Sequence, residues 1–279
     1  MAVLDAEDPL LDAEDPLAVE VTGAIRSGDV SALRRLLAAH PGLAATGIRQ
    51  TGEAAGIRSL LHLATDWPGH FPAGPEVIAV LVAAGADPDA RFVGAHSETP
   101  LHWAASNDDV AALDALIAAG ADIEATGAVI AGGTPLADAR AFGQWRAARR
   151  LLEHGARTTL QDAATLGFLP RVTALIEGGP EGTGTRTATG AATGTEPETR
   201  PDPAAITSAF WGACHGGHLP TARYLAEHGA DLNWIGYDGM TPLDIATAPG
   251  AGPGAEDVAR WLRTQGARHR SELTPGETP

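Results

Sequence analysis

The sequence predicts an all-α fold built from about seven stacked helix-turn-helix repeats. Gly-Ala-Asp occurs at residues 85–87, 120–122 and 229–231, and the first two copies lie 35 residues apart. Gly-Ala returns at 155–156, again 35 residues further on, and at 266–267. A fixed period of this size is typical of stacked arrays in which each repeat is one helix pair. Much of the apolar content is alanine, which favours small, closely packed helices.

A second recurring motif marks where helices begin. Thr-Pro-Leu stands at residues 99–101, 134–136 and 241–243, each time upstream of an apolar helical stretch. Proline is tolerated in the first turn of a helix because its missing N–H would have no partner there. Together with the Gly-Ala exits, this motif predicts helix pairs that begin near Val21, Leu61, Leu101, Leu136, Leu160, Phe210 and Leu243.

The segment Thr99–Ala105, TPLHWAA, followed by a Gly-Ala-Asp exit, resembles the ankyrin repeat. The resemblance covers roughly residues 18–268 and is to the bacterial type of ankyrin-repeat protein. It implies a solenoid with short β-turn fingers between the helix pairs, and a function in recognition. It also implies that His62, His102 and His218 occupy family positions and serve as structural hydrogen-bonding groups.

Composition sets the boundaries of this domain. Residues 1–17 contain the tandem copy LDAEDPL–LDAEDPL with six carboxylates, which predicts an acidic, frayed N-terminal segment. Residues 178–203 are almost entirely Gly, Thr, Pro, Ala and charged side chains, which predicts a flexible insertion. Residues 269–279 are predicted to be a polar tail. The remainder, 18–268, is predicted to form a single ankyrin-repeat domain.

The charge excludes several classes of function. The formal net charge of −16 argues against nucleic acid and anionic membrane as partners, because those need clustered cations. One cysteine, Cys214, and no long apolar run indicate a reducing, cytoplasmic setting. Cys214, His215 and His218 are close in sequence, but the first falls at a buried repeat position, so no metal is predicted. Without a phosphate-binding motif, no cofactor is predicted either.

Stacked repeats present the first helix of each pair and the fingers on a concave surface. In each first helix the residues two, five and six beyond the motif leucine lie on one side. The column is aromatic and acidic in its middle, where rings give large contact areas for a protein segment or a small amphipathic ligand. Together with Trp211, one position before the column, and two histidines in the long turn and a finger, it gives the predicted ligand-binding set: Asp66, Trp67, His70, His96, Trp103, Asn107, Phe142 and Trp211.

An enzyme is the alternative hypothesis. Asp138, Asp162 and His215 fall on the same column, and a carboxylate beside a histidine could catalyse dehydration, cyclisation or isomerisation by acid–base chemistry. Asp162 would meet His215 if the 178–203 insertion bulges out between stacked repeats. No motif for a hydrolytic nucleophile is present. The sequence leaves open the oligomeric state, the ligand, and whether the turn at 66–76 covers the groove as a lid.

Overall fold

A computed structural model describes residues 10–52, 55–129, 132–177 and 201–273. Within these residues fourteen α-helices form seven pairs, which confirms the predicted number of repeats. The chain divides into two compact units, Met1–Ala156 with α1–α8 and Arg157–Pro279 with α9–α14. The helices are α1 Pro16–Ser27, α2 Val30–Ala39, α3 Leu60–Thr65, α4 Gly74–Ala83, α5 Pro100–Ser106, α6 Val110–Ala118, α7 Pro135–Ala141, α8 Trp145–Glu153, α9 Leu160–Thr165, α10 Leu169–Glu177, α11 Pro203–His215, α12 Leu219–Glu227, α13 Pro242–Thr247 and α14 Ala255–Thr264.

The Gly-Ala exits have a common backbone cause. Gly85, Gly120, Gly155, Gly229 and Gly266 all have φ between 81° and 102°. This left-handed conformation ends a helix and is cheap only for glycine. In each case the following alanine donates its N–H to a carbonyl five residues back, for example Ala121 to Leu116 at 3.0 Å. The motif that reveals the period is therefore the cap that stops each second helix.

The helix starts are capped and tied to the next finger. In α5 the Thr99 hydroxyl and backbone N–H contact His102 Nδ1 at 2.9 and 3.1 Å, while His102 Nε2 contacts the Gly133 carbonyl. His62 repeats this arrangement with Ser59 and the Glu98 carbonyl. These two histidines are fully buried and link one repeat to the next, which is the structural role expected for them.

A small sheet opens the first unit. Strands β1 Leu10–Asp12, β2 Gly47–Gln50 and β3 Gly56–Ser59 lie in the order β1-β2-β3, with β1 parallel and β3 antiparallel to β2. Ile57 of β3 also forms a bridge to Val93 in the next finger. This bridge joins these two fingers edge to edge.

Each unit buries its own apolar face. In the first unit Leu61, Leu101 and Leu136, which follow the Ser or Thr caps, are completely buried. In the second unit Phe210 and Leu225 belong to a cluster of buried residues against which Trp261 packs. The motif leucines predicted from sequence therefore form the core of the stack in the first unit.

Both ends of the chain differ from the prediction. Residues 10–17 are not frayed, because Asp12 forms an ion pair with Arg49 at 3.2 Å and β1 pairs with β2. Residues 269–273 fold back on the last repeat, where His269 Nδ1 lies 2.7 Å from Asp244 Oδ1. The rest of these predicted segments, residues 1–9 and 274–279, and residues 178–200 of the predicted insertion, lie outside the described residues.

Two first helices begin earlier than expected. Helix α1 begins at Pro16 rather than near Val21, and α11 begins at Pro203, seven residues before Phe210. An Asp-Pro pair stands at each start, and the Asp202 carboxylate accepts the Ala205 N–H at 2.6 Å. Aspartate followed by proline is a strong helix-start signal, and it explains the extra turn.

Candidate functional site

Large apolar side chains are exposed in only some parts of the repeats. In the described chain none of the exposed large apolar residues lies in a second helix. They stand in fingers, in the first strand, in first helices and at the turns that follow them. We call the first helices of a unit, the turns that follow them and the fingers its inner surface. The exposed residues are Leu10, Val19, Trp67, Val93, Val129, Phe142, Phe168 and Tyr237.

Trp103 is the centre of an aromatic and charged cluster on the inner surface of the first unit. Its ring packs edge-on against His62 at 4.8 Å and lies 5.6 Å from Phe92. The Arg58 guanidinium stands 5.5 Å from the ring centroid, which is cation–π geometry. Half-buried and held from three sides, Trp103 is a rigid platform.

Two carboxyl groups meet beside this ring. The Trp103 indole N–H donates to Glu98 Oε2 at 3.2 Å, and the Asp138 carboxyl lies close enough to Glu98 to affect its pKa. Glu98 is 7% exposed and Asp138 fully buried. Burial raises the pKa of Glu98, although the hydrogen bond from Trp103 and the nearby Asp138 and His96 oppose that shift. Asp138, predicted as a catalytic acid, therefore pairs with a carboxyl that the sequence analysis did not select.

The long turn after α3 is held against the next repeat. Asp66 forms an ion pair with Arg26 at 2.7 Å, and Trp67 is 79% exposed beside it. The His70 backbone N–H donates to Asp109 at 2.6 Å, and its Nε2 lies 3.1 Å from the Asn107 carbonyl. These contacts fix the turn to the C-terminal end of α5, the end away from the finger.

Asn107, Phe142 and His96 complete the predicted set in the first unit. The Asn107 side chain donates to the Thr65 carbonyl at 2.8 Å and so joins two repeats. Phe142 ends α7 and is 48% exposed. His96 is exposed in the finger that precedes α5. Of these three, Phe142 and His96 offer exposed groups to a partner.

Asp162 in the second unit has a local structural role. It stands at the third position of α9, is 4% exposed, and its Oδ2 accepts the Thr159 backbone N–H at 2.9 Å and the Thr159 hydroxyl at 2.7 Å. Helix α5 begins one residue before its motif leucine, Leu101, whereas α9 begins at its motif leucine, Leu160. Asp162, two residues beyond that leucine, therefore lies in the first turn of α9. The carboxylate closes a capping box there, and its catalytic role stays a prediction.

Trp211 and His215 lie together on α11. Helix α11 packs closely on α9, as shown by Gly212, where a side chain would collide with Thr165. The proximity of Asp162 to His215 stays a prediction. The rings of Trp211 and His215 are 5.7 Å apart, and both residues are 6% exposed. The Trp211 indole N–H donates to the Met240 carbonyl at 3.0 Å.

The finger at residues 231–241 contributes two aromatic rings that the sequence analysis missed. Tyr237 is 40% exposed and lies 5.3 Å from Trp211 and 6.1 Å from Trp234, nearly perpendicular to both. Its hydroxyl lies 3.3 Å from Gln161 Nε2 and from Ser208 Oγ. The Trp-Ile-Gly-Tyr run at 234–237 was a visible signal, but the predicted column covered only first-helix positions.

The predicted residues thus form three groups. Trp103 and Asp138 lie beside Glu98, His70 contacts Asn107, and Trp211 contacts both His215 and Tyr237. Two grooves of the described surface lie elsewhere. One of about 600 Å³ is lined by α13 and α14 residues such as Ala246 and Arg260, and one of about 340 Å³ by α2 and α4.

The described parts of the chain contain no group of three or more His, Cys, Asp or Glu side chains arranged to hold a metal ion. No helix within them has the length and apolarity needed to cross a membrane.

Both parts of the chain that contain these repeats match known protein families. Residues 61–162 match a family model described as ankyrin repeats in three copies, and residues 211–263 match a model described as ankyrin repeats in many copies. Rat protein fem-1 homolog A is 50% identical over 60 residues, which are 22% of this chain and 9% of that protein. The human homolog is 43% identical over 76 residues, 24% of this chain and 11% of that protein.

The chain therefore spans about a tenth of the length of these curated relatives. Among solved structures, the human ASB11 ankyrin repeat domain is similar at 20% identity with a TM-score of 0.48, covering 94% of this chain and 100% of that one. The two family-model matches together cover more than half of the chain, and they contain His62, His102 and the Gly-Ala exits at Gly85, Gly120, Gly155 and Gly229. The chain belongs to the ankyrin-repeat family.

Proposed function

We propose that this protein is a recognition module that binds a segment of another protein on the inner surface of its repeats. The observation that carries the proposal is the distribution of exposed apolar side chains, which occupy fingers, first helices and turns and avoid the second helices. Exposed aromatic rings such as Trp67 and Phe142 are the usual anchors of protein interfaces. Ankyrin repeats are in general protein-interaction modules, which supports the same conclusion.

The net charge of the chain supports a neutral or cationic partner. The chain carries 35 acidic residues against 19 basic ones, so an acidic partner would be repelled. A small amphipathic ligand is a finer alternative within the same proposal. Trp67, Phe142 and Trp103 would supply its apolar contacts, with Asp66, His70, His96, Asn107 and Trp211 as the remaining members of the predicted set.

The test is a selection of binding peptides from a random displayed library on the full chain. We expect binders whose affinity falls at least about tenfold in Trp67→Ala or Phe142→Ala, because truncation of an aromatic anchor costs about 2 kcal/mol. Tyr224→Ala, on the second helix α12, is the matched control and should bind normally. Circular dichroism confirms folding of each variant. Binders that ignore both inner variants but lose affinity with Tyr224→Ala would refute the proposal.

Acid–base catalysis is a second candidate because of the Glu98–Asp138 pair. Two neighbouring carboxyls with a raised pKa on Glu98 can share one proton and donate it. Only Glu98 reaches the surface, so it would be the acid and Asp138 its partner, in place of Asp162 or His215. Incubation with a metabolite mixture followed by mass spectrometry tests this. Turnover that persists in Glu98→Gln would exclude the pair.

A further inference from the structure

The finger at residues 231–241 of the second unit carries an aromatic surface next to exposed carboxylates. Tyr237 stands almost at right angles to Trp211 and to Trp234, at 75° and 88°. Gly236 runs between the two tryptophans, since a Cβ there would lie 2.5 Å from Trp234 Cζ3 and 2.8 Å from Trp211 Cδ1. The rings are held close by the absence of a side chain at this position.

The rings are fixed before any partner arrives. The Trp211 indole N–H is bonded to the Met240 carbonyl, and the finger closes with Gly236 N–H donating to that same carbonyl at 2.9 Å. The Tyr237 hydroxyl contacts Gln161 and Ser208. A ring that keeps its orientation loses little conformational entropy on binding, which favours recognition.

Charge is segregated around this surface. Helices α9, α11 and α13 and the finger 231–241 contain no Lys or Arg, whereas α10, α12 and α14 contain Arg171, Arg223, Arg260 and Arg263. The finger contributes Asp231 and Asp238, both exposed. The nearest arginines along its edge are Arg268 and Arg270, whose backbone N–H groups bond to Asn233 and Asp244. The inner surface of this unit is therefore acidic and aromatic.

Asp238 is placed at the tip in a specific backbone conformation. Its φ is +56°, a left-handed value that aspartate and asparagine tolerate better than most residues. Asp238 directly follows Tyr237 in the chain and is exposed to solvent. An aromatic face and a carboxylate side by side attract an organic cation through cation–π attraction and ion pairing together.

We propose that Tyr237, Trp234 and Asp238 form a subsite that binds an arginine or lysine side chain from the partner's segment. The inference rests on the proposed function and adds the chemistry of the partner. Ring faces provide cation–π contact, the Asp238 carboxylate pairs with the charge, and helices α9, α11 and α13 contribute no Lys or Arg that would repel it. A basic segment is the one occupant that this charge pattern favours.

The experiment is an NMR titration of the full ¹⁵N-labelled chain with N-acetyl-arginine amide and, separately, with its uncharged isostere N-acetyl-citrulline amide. We expect saturable shifts of the Trp211 and Trp234 indole signals with the arginine probe and much smaller shifts with citrulline. Asp238→Asn keeps the left-handed turn and should weaken arginine binding about two- to fivefold, while Tyr237→Ala should weaken it at least as much. Asp257→Asn on α14 is the charge-matched control and should leave binding unchanged.

Equal shifts with both probes, or none with either, would overturn the subsite. The same is true if Asp257→Asn weakens binding as much as Asp238→Asn does. This result is independent of the peptide selection. Peptides that bind at Trp67 and Phe142, together with a titration that shows no arginine-specific shifts, would leave the recognition function standing while the arginine subsite fails. A library that gives no binder at all would count against the recognition function itself.

Discussion

The two buried histidines should make the first unit sensitive to acid. In His62 and His102 the Nε2 atom donates to the carbonyl of the next finger, so Nδ1 must accept the backbone N–H of Ser59 or Thr99, at 3.3 and 3.1 Å. This assignment follows from the hydrogen-bond network. Protonation would place a proton on Nδ1 facing that N–H donor and would bury a charge. Both rings therefore fold in the neutral form.

The size of the effect follows from the pKa shifts. Burial lowers the pKa of His62 from 6.5 to about 3 and that of His102 from 6.5 to about 4. The unfolded chain binds protons below pH 6.5 and the folded chain does not, so stability is complete above pH 6.5 and falls as the pH drops. At pH 5 each histidine removes about 2 kcal/mol from the free energy of unfolding, or about 4 kcal/mol together.

The assay is urea unfolding followed by far-UV circular dichroism at pH 7 and pH 5. The comparison variant is the double substitution His62→Gln and His102→Gln, whose amides keep a donor and an acceptor but do not titrate. Carboxylates and net charge change equally in both proteins, so they cancel. We expect the wild type to lose about 4 kcal/mol more than the variant between the two pH values. Equal losses would refute the assignment of neutral, buried histidines.

Further substitutions test the caps. Gly120→Ala should lower the free energy of unfolding by about 1–3 kcal/mol, because its φ of +95° is strained for alanine although a Cβ would meet nothing within 4 Å. Gly23→Ala, inside α1 with the same open space, should raise it by about 0.5–1 kcal/mol. Thermal melts that move both variants in the same direction would contradict this account. Asp162→Ala should cost about 1 kcal/mol and Asp162→Asn less, since asparagine also accepts the Thr159 N–H. An equal loss with both would argue against the cap.

The repeats could be predicted because their signals are local. Gly120 and its counterparts reveal the period through a backbone conformation that few other residues adopt, and Thr-Pro-Leu reveals the helix starts through a cap and a tolerated proline. Each of these causes acts within a few residues, so a motif in the sequence maps directly onto a structural element.

The ends of the chain could not be predicted in the same way. The LDAEDPL repeat looks unstructured by composition, yet its second copy forms β1 and starts α1 because Arg49, 37 residues away, pairs with Asp12. Residues 269–273 of the predicted polar tail are likewise held in place by Asp244, 25 residues before His269. In both cases the stabilising partner is remote in sequence, and composition carries no trace of it.

The candidate site could be predicted only in part, because some of its residues depend on contacts with other repeats or with irregular fingers. Trp103, Trp211 and the exposed Trp67 and Phe142 follow from helical periodicity on the first helices. Glu98 was missed because its partner Asp138 belongs to the next repeat, and Tyr237 because finger geometry is irregular. Asp162 lies on the expected column, but a helix start displaced by one residue turns it towards the backbone.

Hydrogen–deuterium exchange of the full chain with a selected binding peptide tests the central claim most directly. If the inner surface binds the partner, exchange should slow in the fingers and first helices, including residues 231–241 when the peptide is basic, and should be unchanged in α10, α12 and α14. Protection confined to the second helices, with the fingers exchanging as in the free protein, would contradict the proposed recognition surface.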